Sequence, residues 1–178
     1  MAVMLPLLPL DESSRRGAQL DIVDWLATAN IFRGLLQSEP SAAAVYGVLE
    51  HLFFHGKLAA RTRELVILRI GWRAQSEYVF CNHVRISREI GIPDPDILGV
   101  RNPAQCREFS ETDHRVIDLA DELYDSARVA PGTWAALEAT FTSEELVELV
   151  LVAGLWRAIA GFVNTAGTPL DADTPSWP

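Results

Sequence analysis

The sequence predicts an all-α, single-domain protein, and three observations carry that prediction. Apolar residues recur at helical rather than alternating spacing along most of the chain. Two capping patterns, Ser110-Glu-Thr-Asp113 and Thr142-Ser-Glu-Glu145, open long apolar runs. No strand pattern of matching strength, internal repeat or low-complexity tract competes. The 178 residues, 49% of them hydrophobic, suit one domain with a full core.

In order, residues 1–17 read as an extended arm with two prolines, lying across the protein's own surface or a neighbour's. From Ala18 to about Leu36 the apolar positions fit helical spacing with a break near Thr28 to Asn30. Ser41 is a good N-cap for a helix through Phe54, with Gly56 as its C′ residue. Two further helices fill Arg61 to Ile90, joined near Ala74 to Ser76, and Gly91 stops the second. The irregular stretch from Arg101 to Ser110 suits a mobile cover over a pocket. A helix from the Ser110 cap to about Ala127 follows, and Pro131 at a first helical position starts a short one. The last helix runs from the Thr142 cap to about Asn164, with Gly167 past its end and residues 165–178 as a tail. It is apolar nearly all round, which predicts burial on most faces and contact with another subunit, hence a dimer or larger homo-oligomer.

Composition excludes several classes of function. A net charge of −9 with no long basic cluster argues against nucleic acid as a partner. The two cysteines, Cys81 and Cys106, are not in a C-x-x-C, as expected of an unbridged chain in a reducing, cytoplasmic setting. The N-terminus lacks the basic region of a signal peptide. The apolar run from Leu146 to Val163 carries Glu148 and Arg157, so a buried helix is expected there and not a membrane span. His51 and His55, four apart, lack a third ligand nearby, so neither a metal nor another cofactor is expected.

The organising stretch is Arg61 to Ile90. A carboxylate, Glu64, stands in the apolar stripe 64, 67, 68 and 71, and Val79, His83, Ile86 and Ile90 put a histidine where the pattern calls for leucine. The runs Arg63-Glu-Leu-Val-Ile-Leu-Arg69 and Ser76-Glu-Tyr-Val-Phe-Cys-Asn-His83, continuing to Ile92, resemble the carboxymuconolactone decarboxylase family, which includes the alkylhydroperoxidase D (AhpD)-like proteins. The resemblance spans roughly Ile31 to Asn164 and implies a helical fold of six to eight helices. It places Glu64 on the family's glutamate and His83 on the histidine that closes the C-x-x-C-x-x-x-H motif of the peroxidase branch. The motif's cysteines fall on Ser76 and Val79, so the chain looks like the branch without them. The position of Tyr78 carries a relay histidine in the redox branch.

A carboxylate bonded to an imidazole fixes its tautomer and supports proton transfer near neutral pH. The same pair can equally serve only to tie two helices together. Glu64, His83 and Tyr78 are therefore the catalytic candidates. Ser76, which is also a natural N-cap, Arg85 and Trp156 are the substrate-binding ones, with Arg69, Arg73 and Arg157 as further cations able to hold a carboxylate. The resemblance implies a carbon–carbon lyase acting on a small carboxylated or lactone metabolite. The rivals are a thiol peroxidase, which the missing cysteines disfavour, and a non-catalytic oligomeric ligand-binding protein of the same fold.

Overall fold

In a computed structural model describing residues 5–177, the chain is all helical, with ten α-helices among the described residues where the resemblance implies six to eight. The excess comes from the N-terminal third. Residues 1–4 of the expected arm lie outside the described residues, but the rest is not wholly extended, because a helix, α1, forms over Leu10–Gln19. The buried Ser13 hydroxyl ties α1 to the carbonyl of Ala27, and Asp11 and Glu12 complement its N-terminal dipole. Over Ala18 to Leu36 the chain forms the end of α1, α2 (Asp24–Ala27) and α3 (Asn30–Leu35); the break between α2 and α3 lies where it is expected, near Thr28 to Asn30, and the one between α1 and α2 is additional. The stretch ahead of α1 lies on the protein's own surface, Leu5 donating to the Ala166 carbonyl and Leu8 to that of Arg33.

The next helix, α4 (Glu39–Glu50), is capped by the backbone at Ser38 rather than by Ser41, because Pro40 already fits the first turn. It runs into a single wide π turn, His51–His55, closed by Gly56 N–H on the His51 carbonyl at 2.7 Å. Gly56 is not the left-handed C′ residue predicted; its φ is −69°. Space explains the glycine instead, since a Cβ there would meet the Glu148 carboxylate at 2.8 Å.

The centre is α5 (Ala60–Arg73), which packs on α6 (Glu77–Glu89), α8 (Glu111–Ser126) and α10 (Ser143–Ala166). Between these lie α7 (Asp94–Gly99), a short 3-10 turn at Pro103–Gln105 and α9 (Pro131–Glu138). Both predicted capping boxes form, at Ser110/Asp113 and Thr142/Glu145, and Gly91 and Gly167 adopt the left-handed φ values expected of helix stops. Val66, Ile67 and Ile70 of α5 join the main core with Leu149, Val152, Ala153 and Trp156 of α10. Leu65 and Leu68, on another face, join Phe80, Ile97, Phe109 and Ile117 in a second cluster. The irregular stretch from Arg101 to Ser110 is held there by Phe109, so it lines a shallow cleft to which His83 does not contribute.

By length and composition α10 is long and apolar enough to cross a membrane, yet it packs on α5, α6, α8 and α9 and buries Glu148. Its remaining face is open and apolar, with Val147 59% and Leu151 47% exposed.

Candidate functional site

Helices α5 and α6 turn back on each other through Ala74–Ser76, with Gln75 in the left-handed conformation. Gly71 lets them approach closely, since a Cβ there would lie 3.0 Å from the Val79 side chain and 3.1 Å from the Phe80 nitrogen. The hairpin brings Glu64 and His83 together: Glu64 Oε2 lies 2.7 Å from His83 Nδ1, with the carboxylate fully buried and the histidine nearly so. From α10, Trp156 Nε1–H donates to His83 Nε2 at 2.9 Å.

This chain of contacts fixes the tautomer. An indole nitrogen can only donate, so Nε2 must accept, and the single proton of a neutral imidazole then sits on Nδ1 and is donated to Glu64. Among the predicted residues the structure therefore unites Glu64, His83 and Trp156. Trp156 meets the imidazole through its N–H and through an edge-on ring contact at 5.5 Å.

Tyr78 points elsewhere. Its hydroxyl donates to Asp171 at 2.6 Å and accepts the N–H of Ile31 at 3.1 Å, while Asp171 accepts the N–H of Asn30 at 2.7 Å. Phenol and carboxylate together satisfy two free donors at the start of α3. Burial first, then the Asp171 charge, pushes the phenol well above its ordinary range, so it is not a base at neutral pH. Ser76 is fully buried as the N-cap of α6, accepting from Val79 N–H at 3.4 Å. Arg85 bonds Glu89 at 2.7 Å and lines a cavity of about 300 Å³ between α6 and the tail, with Cys81, Val84, Arg88, Asp173 and Pro175. His83 lines neither this cavity nor the shallow cleft.

The other arginines singled out from sequence are committed to α8. Arg69 holds Asp121 through two bonds of 2.7 Å, Arg73 holds Asp121 and Asp125, and Arg157 donates to the Leu123 carbonyl. Cys81 and Cys106 are free thiols. Burial, then the neighbouring Glu77 carboxylate, pushes the Cys81 thiol up to about 11, so it stays protonated and unreactive at neutral pH. Among the described residues no cluster of His, Cys, Asp and Glu could hold a metal ion.

Three residues around the pair escape sequence reasoning. Phe53, on the π turn, stacks on the His83 ring at 6.4 Å and packs against Trp156 at 5.7 Å. Arg63, only 7% exposed, sets its guanidinium 4.3 Å over the Phe53 ring, with Nε 3.4 Å from Glu64 Oε1 and Nη1 donating to the Leu52 carbonyl. Glu148, two turns before Trp156, accepts the N–H groups of Lys57 and Leu58 and so holds the π turn and the start of α5 against α10. Only Glu148 leaves a trace in the sequence, a carboxylate in an apolar run at the spacing 148, 152 and 156. Phe53 reads as ordinary core, and Arg63 as one of several arginines on its helix.

The carboxymuconolactone decarboxylase family matches over residues 39–122, the segment that contains the π turn, α5 and α6. No curated protein matches the sequence. Among solved structures, an uncharacterised peroxidase-related protein from Silicibacter sp. TM1040 superposes with a TM-score of 0.77 at 13% identity, covering 97% of this chain and 93% of that one. An alkylhydroperoxidase AhpD core protein from Ralstonia eutropha JMP134, also peroxidase-related, gives 0.75 at 18%, covering 95% and 91%. The debrominase Bmp8, as a cysteine-to-alanine variant in complex with 2,3,4-tribromopyrrole, gives 0.77 at 10%, covering 97% and 94%. At these identities the likeness is one of fold. Residues 39–122 are thus similar to the carboxymuconolactone decarboxylase family, and the chain has the AhpD-like helical architecture.

Proposed function

We propose that the chain is a carboxymuconolactone decarboxylase-like enzyme in which Glu64 and His83 relay a proton on a small carboxylated or lactone metabolite. The observation that carries this reading is the buried chain Glu64–His83–Trp156, which leaves the imidazole lone pair on Nε2. His83 then enters the cycle as a base: Nε2 takes a proton from a carbon next to a carbonyl, and the electron pair passes into that carbonyl. Glu64 stabilises the imidazolium so formed. The imidazolium returns that proton to the far end of the enolate, which moves the double bond. The carbon–carbon bond to the carboxylate then breaks, carbon dioxide leaves and the bond's electron pair spreads over the unsaturated system. A proton from water takes the carboxylate's place, so no electrons are gained or lost overall. Entry of substrate requires that Trp156 release Nε2.

Carbon dioxide release from carboxymuconolactone, assayed beside thiol-dependent reduction of an alkyl hydroperoxide, tests the reading. Decarboxylation that disappears in His83→Asn is expected, while Ser76 and Val79 at the motif's cysteine positions predict no hydroperoxide turnover. Hydroperoxide turnover without decarboxylation would contradict it. One observation favours a second, non-catalytic reading: both imidazole nitrogens are occupied and neither described cavity is lined by His83.

The open apolar face of α10 supports a homo-oligomer, since Val147 and Leu151 would be shielded by a second copy. Light scattering at micromolar concentration checks this, and a stable monomer would contradict it.

A further inference from the structure

The relay reading leaves unexplained why a guanidinium lies beside the pair, and Arg63 is an unusual arginine. Although Arg63 is only 7% exposed, its guanidinium makes just two hydrogen-bonding contacts within the described residues, one of them a long 3.4 Å approach to Glu64, and Nη2, with no protein partner there, still reaches solvent. A buried cation normally exhausts its donors on carboxylates, as Arg69 does with Asp121 and the Val100 carbonyl. What covers Arg63 instead is an aromatic ring. Phe53 sits 4.3 Å from the guanidinium, stacks on His83 and leans on Trp156, so one flat side chain touches the cation, the imidazole and the indole together.

Phe53 is only half-buried and is carried on the π turn, a geometry that recurs at functional sites, and the exposed Phe54 follows it. We propose that Arg63 is the residue by which this chain recognises an organic anion, and that Phe53 is a gate ring standing where a planar carboxylic acid would lie. With Phe53 swung out, a carboxylate has the spare N–H groups of Arg63 to accept, and its flat body has Trp156 to pack against and His83 within reach. The inference rests on the relay reading only for what happens at His83; recognition by Arg63 stands or falls separately.

Benzoate and its uncharged isostere benzamide are the probes, titrated into the full chain while the NMR signals of Phe53 and the Trp156 indole N–H are followed. Benzoate should bind at least about tenfold more tightly than benzamide and move both signals. Arg63→Lys should remove most of that preference, because a lysine lacks the planar fork, and Phe53→Ala should tighten benzoate binding by emptying the ring's place. If Arg63→Lys does not fold, the contrast between probes on the native chain and the Phe53→Ala titration still decide. Equal binding of the two probes, no binding in either the native chain or Phe53→Ala at millimolar concentration, or loss of benzoate binding in Arg85→Gln but not in Arg63→Lys would each overturn the proposal. Binding without decarboxylase activity would sink the relay and leave Arg63 recognition intact.

Discussion

Helix α5 has two sides that handle charge in opposite ways. Towards α7 and α8, its arginines meet carboxylates in matched pairs: Arg61 with Asp96 and Asp113, Arg69 with Asp121, Arg73 with Asp121 and Asp125. Towards α6 and α10, the same helix buries Glu64 and Arg63 with an imidazole, an indole and a phenyl ring. The first arrangement is explained once the helices are clasped. The second keeps a fixed tautomer, an imidazole lone pair held only by an indole N–H, and a guanidinium with one nitrogen lacking a protein partner among the described residues, none of which helix packing requires.

The largest effect that breaks this contrast is kinetic. On the site side, His83→Asn and Glu64→Gln should each lower turnover about a hundredfold or more, as loss of a positioned acid or base does. The double variant should be scarcely worse than either, because the two act as one unit. Additive losses in a double-mutant cycle would count against the relay. On the clasp side, Asp121→Ala should leave turnover nearly unchanged but cost about 2–3 kcal/mol, since it strips the carboxylate from the largely buried Arg69 and from Arg73. Urea melts measure that cost, and a shift under about 0.5 kcal/mol would show the clasp to be ornamental.

A smaller effect is set by pH. Burial alone would raise the Asp113 carboxyl, but the Ser110 N–H, Arg61 and the Ser110 hydroxyl outweigh it and hold the group below the usual carboxylate range. A carboxyl depressed in the fold gives stability that is complete above its unfolded value of about 4 and is lost as pH falls through the folded value. Melting temperature should therefore drop in acid below about pH 4, and less steeply in Asp113→Asn. Parallel slopes for the two proteins would remove Asp113 from the explanation. The smallest effect is at Cys81: with its thiol pushed up to about 11, it should resist iodoacetamide at neutral pH, and Cys81→Ser should leave turnover nearly intact.

How much of this was legible follows from which contacts are local. Capping boxes, the helix-stopping Gly91 and Gly167 and the apolar period of α5, α6 and α10 are local patterns, and they appear where the spacing predicts them. The Glu64 and His83 pair was legible because each interrupts an apolar stripe on adjoining helices. Of the short helices before α4 only the break near Thr28 was, because Ser13 to Ala27 and Asp171 to Asn30 are long-range bonds that hold α1 and the start of α3. Tyr78 fits the motif spacing, yet its hydroxyl is fixed by a tail residue 93 positions away. Arg63 and Phe53 were hidden for a similar reason: only the π turn, anchored by Glu148 of α10, brings Phe53 over the guanidinium.

The most direct test of the site is the protonation of His83 itself, read from the nitrogen-15 shifts of its ring at neutral pH. A buried imidazole held between Glu64 and the Trp156 N–H must show a protonated Nδ1 and an unprotonated Nε2, and Trp156→Phe should release that constraint and mix the tautomers. A proton on Nε2 in the native protein, alone or in an imidazolium, would contradict the geometry and leave His83 without the lone pair that the relay requires.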